Sequence, residues 1–265
     1  MTEKEIILTS IMNCRCVDLY TERKPLTPTQ ENRLEEILKR RKSGEPLQYI
    51  LGNCEFMGLK FLVDKRVLIP RPETELLIEA VMEQAQISGS RPLSILDIGT
   101  GSGNIAVSLA KNIPRASLVS VDISNEAITL AKANARLNGV LKKIKFIKSD
   151  LFQYWRNNVR RPKLFDIIVS NPPYIASHTI STLASDVQAE PRLAFDGGPD
   201  GLYFFRRIID EAPEFLKPGG FLFFEIGDGQ KEALEKIINE KQEFILTQFI
   251  KDYVRTERIV IAERR

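Results

Sequence analysis

Apolar and polar positions along the chain change their period twice. From about 3 to 42 they recur at helical spacing, with Ile6, Ile7 and Ile11 in one segment and Leu34, Ile37 and Leu38 in another. Thr27-Pro28-Thr29-Gln30 has the form of a capping box with proline at the first helical position, which predicts the start of the second helix. The basic run Lys39-Arg40-Arg41-Lys42 closes that helix, where cations meet the negative end of its dipole. Residues 46–63 turn to strand character, Cys54-Glu55-Phe56 and Lys60-Phe61-Leu62-Val63 flanking Met57-Gly58 as a hairpin. In Leu68-Ile69-Pro70-Arg71-Pro72-Glu73-Thr74-Glu75 the two prolines enforce an extended approach to a helix over about 74–87.

From 93 onward strand-like and helical segments alternate. Apolar stretches at 93–98, 117–121, 144–147, 164–170 and 219–226 are separated by helical patterns near 103–112, 124–138 and 202–216. A helix at 229–240 and short strands at about 243–249 and 257–262 follow. Such alternation predicts an α/β domain built on a mainly parallel sheet with helices on both faces.

The composition narrows the classes. Of 265 residues, 43% are hydrophobic, ample for a core. Lys and Arg number 38 against 35 Asp and Glu, and residues 1–90 carry 13 basic and 14 acidic side chains, so no generic affinity for nucleic acid is expected. Cys14, Cys16 and Cys54 lack the spacing of a zinc ribbon and His178 is the single histidine, so no metal site is expected. The charged N-terminus, with only a short apolar stretch after it, predicts neither a signal peptide nor a membrane span, and hence a cytoplasmic protein.

Two motifs carry the chemistry. Asp97-Ile98-Gly99-Thr100-Gly101-Ser102-Gly103 follows a strand and opens a helix, so that backbone can pass close to a ligand where a Cβ would collide. Its third glycine falls one residue too early for the dinucleotide fingerprint, and a purely structural turn is the competing reading. Asp122 ends the next strand, where a carboxylate can accept from both hydroxyls of an adenosine ribose or cap a helix, with Ser124 a rival cap. Asp150 and Leu151 end the third strand, the first an acceptor for an adenine amino group and the second an apolar wall. Asp97 either meets an ammonium group of the ligand or stabilises the turn. With no P-loop lysine after the glycines and no Arg or Lys cluster beside them in sequence, S-adenosylmethionine fits better than a phosphorylated nucleotide.

Asn171-Pro172-Pro173-Tyr174 ends the apolar run Phe165 to Ser170. An amide or exocyclic amine has its lone pair tied up in resonance and has to be held by acceptors. The Asn171 side-chain oxygen and the Pro172 carbonyl supply two, and Tyr174 offers a flat face for a planar group. His178, just beyond, reads as an exposed polar residue, Glu190 and Arg71 as groups that shape a pocket or pair with charges, and Tyr154 and Trp155 as core packing or a helix face rather than the lining of a ligand surface.

On these residues the chain resembles the protein glutamine N5-methyltransferases, and within them the release-factor glutamine methyltransferases of the PrmC/HemK group. The resemblance rests on Gly44-Glu45-Pro46-Leu47-Gln48-Tyr49-Ile50-Leu51-Gly52, Glu55 to Leu59, Leu68 to Glu75, Asp97 to Gly103, Asn171 to Tyr174, Glu190-Pro191, the Gly197 to Leu202 stretch, Glu225-Ile226-Gly227 with Gln230, and Asp252 to Arg258. The helical part before the hairpin is shorter than is usual in that family. The resemblance implies a class I S-adenosylmethionine-dependent methyltransferase, with a Rossmann-like, mainly parallel seven-stranded sheet. It divides the chain into a substrate-docking helical domain at 1–45, a β-hairpin and linker at 46–72 and the methyltransferase domain at 73–265. It also implies methyl transfer to the side-chain amide of the Gln in the Gly-Gly-Gln motif of class 1 peptide chain release factors. Asn171, Pro172, Pro173 and Tyr174 would then hold the substrate amide, and Asp97, Gly99, Thr100, Gly101, Ser102, Gly103, Asp122, Asp150, Leu151 and Asn171 the cofactor. A monomer that meets neither DNA nor membrane is the expectation. The rival functions are a DNA adenine N6-methyltransferase, because a flipped adenine presents a similar amine, and a non-catalytic binding protein of the same fold.

Overall fold

The computed structural model of the chain describes residues 2–21, 24–158 and 164–265. It opens with helices α1 (Glu3–Met12), α2 (Asp18–Thr21), α3 (Pro28–Lys42) and α4 (Leu47–Leu51). The expected helical stretch 3–42 crosses residues 22–23, which lie outside the described residues. Thr27 caps α3 as its sequence indicates: its side chain accepts from Gln30 N at 3.4 Å and its N–H donates to Gln30 Oε1 at 2.9 Å. Ile7, Ile37, Leu47 and Ile50 close a small core of their own. That core explains why part of the stretch expected as strand, 47–51, is helical: Leu47 and Ile50, three residues apart, share one helix face and bury together.

The hairpin β1 (Asn53–Phe56) and β2 (Leu59–Leu62) follows, turning at Met57-Gly58. Its Phe56 and Phe61 rings meet edge to face at 6.0 Å and enter the core of the large domain. Asn134, fully buried, fixes it there: its oxygen accepts from Leu62 N at 2.7 Å, and its Nδ2 donates to Leu62 O at 2.9 Å and Ser102 O at 2.8 Å.

The remainder runs α5 (Glu73–Ile87), β3 (Leu93–Ile98), α6 (Asn104–Asn112), β4 (Ala116–Asp122), α7 (Asn125–Leu137), β5 (Ile144–Lys148), α8 (Gln153–Asn158), β6 (Phe165–Ser170), α9 (Ser185–Gln188), α10 (Tyr203–Glu211), β7 (Leu216–Glu225), α11 (Lys231–Asn239), β8 (Phe244–Lys251) and β9 (Glu257–Arg264). The expected helix 202–216 ends early because Pro213 follows α10, and after one 3-10 turn Leu216 already belongs to β7. The sheet has seven strands in the order β5-β4-β3-β6-β7-β9-β8, parallel from β5 to β7, with β9 antiparallel to both neighbours. Every residue of β3 and β6 is buried, since one apolar core lies against each face of the sheet. Trp155 belongs to the second core, edge-on to Phe165 at 5.6 Å.

The order reverses between β3 and β6. Chain leaving β3 crosses to β4 on one side, chain leaving β6 to β7 on the other, and a crevice opens between the two exits at the carboxyl ends of the strands. Both sequence motifs stand at that crevice.

Candidate active site

The glycine turn is held by β4. Gly99 and Thr100 donate their N–H groups to Val121 O at 2.9 and 3.0 Å, and Gly101 N donates to Asp122 Oδ2 at 2.9 Å. The other Asp122 oxygen accepts from Ser124 N at 2.8 Å, while Ser124 itself caps α7. Asp122 therefore ties the turn to the strand and still has lone pairs to spare on the cleft wall; burial pushes its carboxyl above the ordinary range despite those bonds.

The glycines divide their roles. Gly101, at φ 51°, has no atom within 4 Å of where a Cβ would stand and lines the cleft, so its bareness keeps the wall open. Gly103, at φ 84°, is absent from the wall: a Cβ there would come within 3.0 Å of Ala131 Cβ. Its glycine serves the packing of α6 on α7, unlike the ligand role expected of it.

Asp97 is fully buried beneath the turn, opposite Ser120 in the sheet. Ser120 Oγ donates to its Oδ2 at 2.7 Å, and Oδ1 has no partner among the described residues. Burial pushes the carboxyl up to about 7. Of the two roles left open for Asp97, stabilising the turn is the one its contacts serve.

The cleft above has a volume of about 310 Å³, within the range of small-molecule sites. Ile123 and Leu193 line it while half of each side chain lies open, with Leu151 buried between the strand ends. Leu151 sits at φ 45°, a conformation rare outside glycine, held by Ser149 Oγ donating to its carbonyl at 2.7 Å. Asp150 also reaches the cleft, but the Arg207 guanidinium grips its two oxygens at 3.0 and 2.9 Å, so it is not a free carboxylate. Basic groups absent beside the glycines in sequence do arrive through the fold: Lys65, Arg66 and Arg71 line the cleft. Arg66 is clamped by Asp64 and Arg71 by Glu190, which leaves these two little charge for a phosphate.

The cleft thus fits S-adenosylmethionine: a bare turn for backbone approach, a carboxylate with spare acceptors at the end of β4, and open apolar side chains for a base.

At the exit of β6, Ser170 Oγ donates to Ile98 O at 2.7 Å, setting Asn171 beside the glycine turn. Asn171, Pro172 and Pro173 face the cleft. Asn171 Nδ2 donates to Thr74 Oγ1 at 3.2 Å, and Thr74 Oγ1 donates to Glu225 Oε2 at 2.6 Å. Among the described residues nothing donates to Asn171 Oδ1 or to the Pro172 carbonyl, and both residues line the cleft. Tyr174 is placed otherwise than expected: its ring packs beside Gly227 and into the second core, its hydroxyl donates to Glu225 Oε1 at 3.3 Å, and it does not line the cleft. Its carbonyl accepts from Gln230 Nε2 at 3.0 Å, which fixes the turn.

The linker roofs the cleft. Glu190, buried, accepts from Ile69 N at 2.8 Å and from Arg71, joining the 68–75 segment to the loop after α9. His178 is exposed in the 3-10 turn Ser177–Thr182, ahead of α9. Thr74, Glu225, Ile123 and Leu193 are site residues for which sequence reasoning assigned no role. Thr74 and Glu225 stand in two segments of the resemblance, Leu68 to Glu75 and Glu225-Ile226-Gly227, but nothing local joins them, because 151 positions separate two residues in contact.

Residues 72–248 match the Methyltransferase small domain family and residues 2–52 the PrmC N-terminal domain. A release factor glutamine methyltransferase of Thermodesulfovibrio yellowstonii is 36% identical over 263 residues, covering 99% of this chain and 92% of that protein. The chain belongs to the release factor glutamine methyltransferase family. A second member, from Geobacter sulfurreducens, is 43% identical over 234 residues, covering 88% of this chain and 78% of its own length. The fold recurs in a crystal structure of a methyltransferase from Pyrococcus furiosus, at a TM-score of 0.54 and 18% identity over 90% of this chain and 98% of that one. Family membership fixes the cofactor as S-adenosylmethionine and the fold as the class I methyltransferase architecture expected. Among the described residues no helix is long and apolar enough to cross a membrane, and no group of three or more side chains gathers as metal ligands.

Proposed function

We infer that the chain methylates the side-chain amide nitrogen, N5, of the glutamine in the Gly-Gly-Gln motif of class 1 peptide chain release factors, yielding N5-methylglutamine and S-adenosylhomocysteine. The observation that carries this is the pair of unengaged acceptors, Asn171 Oδ1 and the Pro172 carbonyl, on consecutive residues that line the cleft at the end of β6. An amide NH2 has two hydrogens to donate, one to each.

S-adenosylmethionine supplies an electrophilic methyl group on a sulfonium. Asn171 and Pro172 orient the amide nitrogen towards it, and positioning is the main source of rate. As that nitrogen gains positive charge, the two oxygen dipoles interact with it more strongly than in the ground state, an oxyanion hole of opposite sign. Asp122, Leu151 and the wall from Gly99 to Ser102 hold the cofactor, with Asp150 contributing through its arginine-bound carboxylate. Tyr174 acts from behind, packing the turn that carries Asn171. No general base is required, because the methylated nitrogen is acidic and releases its proton to water.

Residues 1–45 serve as the docking part, 46–72 as hairpin and linker, and 73–265 as the methyltransferase domain. The enzyme works as a cytoplasmic monomer and has no DNA substrate; its balanced charge supports the latter.

The test is transfer of labelled methyl to a purified class 1 release factor, beside the same factor with its motif Gln changed to Ala and beside duplex DNA. Label on the unaltered factor alone is expected. Label on DNA would favour the adenine reading, and label on none of them would refute the assignment.

A further inference from the structure

The side chain of an asparagine can present either its oxygen or its NH2 to a ligand, and only its neighbours decide which. A rotation of Asn171 by half a turn would replace the acceptor needed for a substrate NH2 by a second donor and close the site to it. The neighbours are therefore part of the mechanism.

Among the described residues the Asn171 side chain has one hydrogen-bond partner, Thr74, at the start of α5. A threonine hydroxyl can donate or accept, so Thr74 alone is indifferent to the orientation of the amide. Its indifference ends at Glu225, the last residue of β7. The Thr74 hydroxyl lies 2.6 Å from Glu225 Oε2, and a carboxylate only accepts, so the hydroxyl proton points to it. What remains for Asn171 is a lone pair on Thr74 Oγ1, which takes the NH2. The amide oxygen is left on the cleft side. Thr74 and Glu225 are each about 1% exposed, so water does not compete for these bonds.

We propose that ionised Glu225 acts through the hydroxyl of Thr74 to hold the Asn171 amide with its oxygen towards the substrate, making Thr74 and Glu225 positioning residues for the methyl transfer. The proposal rests on the amide-methylating function assigned above.

The direction of the relay depends on the charge of Glu225. A proton on Oε2 would be donated to Thr74 Oγ1, freeing the threonine hydrogen to point at Asn171 and favouring the reversed amide. The groups that face Glu225 are Thr74 and Glu73 from α5, Tyr174 from the turn after β6 and Arg258 from β9. Burial and the Glu73 charge favour its protonated form; the bonds from Thr74 and Tyr174 and the Arg258 charge favour the ionised one. The outcome is a carboxyl pushed up to about 7, so that its charge changes within the working range. The sign follows: the ionised form is the orienting one, and turnover rises with pH through that midpoint.

The experiment is steady-state methylation of a class 1 release factor from pH 5.5 to 9 by the wild type, Thr74→Val, Thr74→Ser and Glu225→Gln, with cofactor affinity measured by calorimetry. Valine keeps the shape of threonine without its hydroxyl; serine keeps the hydroxyl. Glutamine leaves an oxygen for Thr74 but no titrating proton. The expected result is a kcat for Thr74→Val lowered on the order of 10- to 100-fold, with cofactor affinity within about threefold, and largely restored in Thr74→Ser. The wild-type kcat should show an acid limb centred near 7 that Glu225→Gln flattens. A Thr74→Val kcat within about twofold of wild type, a Thr74→Ser as impaired as the valine variant, or an acid limb unchanged in Glu225→Gln would each overturn the relay while the substrate assignment stands. A wild type that leaves the factor unmethylated at every pH would overturn the substrate assignment and the relay with it.

Discussion

Two glycines two residues apart in one turn should fail in opposite ways when each gains a methyl group. In Gly103→Ala the new Cβ meets Ala131 Cβ at 3.0 Å and Ala131 Cα at 3.2 Å, in a backbone held at φ 84°. The left-handed conformation costs alanine roughly 1–2 kcal/mol. Crowding against a helix backbone that can yield little adds about 1–3 kcal/mol. The sum is a loss of about 2–5 kcal/mol of stability, a large part of a typical domain's total. In Gly101→Ala the conformational cost is similar, about 1–2 kcal/mol, but the methyl meets nothing within 4 Å of the protein and stands on the cleft wall. That variant should fold, and bind S-adenosylmethionine at least about tenfold more weakly because the ligand has lost close approach to the backbone. Urea unfolding gives the first quantity and calorimetric titration of the folded protein the second. If Gly101→Ala were the more destabilised, or if a folded Gly103→Ala bound cofactor as poorly as Gly101→Ala, the division of labour between the two glycines would be wrong.

Asn171→Ala should lower kcat roughly 10²- to 10³-fold while cofactor affinity stays within a few fold, since one of two preorganised acceptors is removed; near-normal turnover would remove Asn171 from the mechanism. Asn134→Ala strips partners from Leu62 N, Leu62 O and Ser102 O at a buried site, for a loss of about 2–4 kcal/mol by urea unfolding and a hairpin whose amide protons exchange faster. The contribution of Asp97 to stability should fall as pH rises from about 4 to about 7. Over that interval Asp97 keeps its proton in the folded state but has lost it in the unfolded chain, so the unfolded state binds fewer protons, and the change amounts to an order of 4 kcal/mol. Asp97→Asn should flatten that slope, measured as unfolding free energy against pH; a slope unchanged in the variant would mean that Asp97 is ionised in the fold.

What the sequence determined is what a local period or a backbone constraint can encode. The capping box at Thr27, the hairpin around Met57-Gly58, the linker prolines and the alternation that builds a parallel sheet are each written in neighbouring residues, and each is where its pattern places it. The acceptors of Asn171 and Pro172 are likewise intrinsic to the residue types. Tertiary structure decided which way those groups face. Gly101 and Gly103 look alike in sequence and differ only because α7 lies against one and open space against the other. Tyr174 was drawn from the cleft into the core by the space beside Gly227 and by the Glu225 carboxylate. Asp150 was claimed by Arg207 from 57 positions away. The orientation of Asn171 is set by a threonine and a glutamate from two other elements, and no local pattern carries it: hydrogen bonds between distant segments exist only after strands and helices have packed, so the direction of a donor at an active site belongs to the fold.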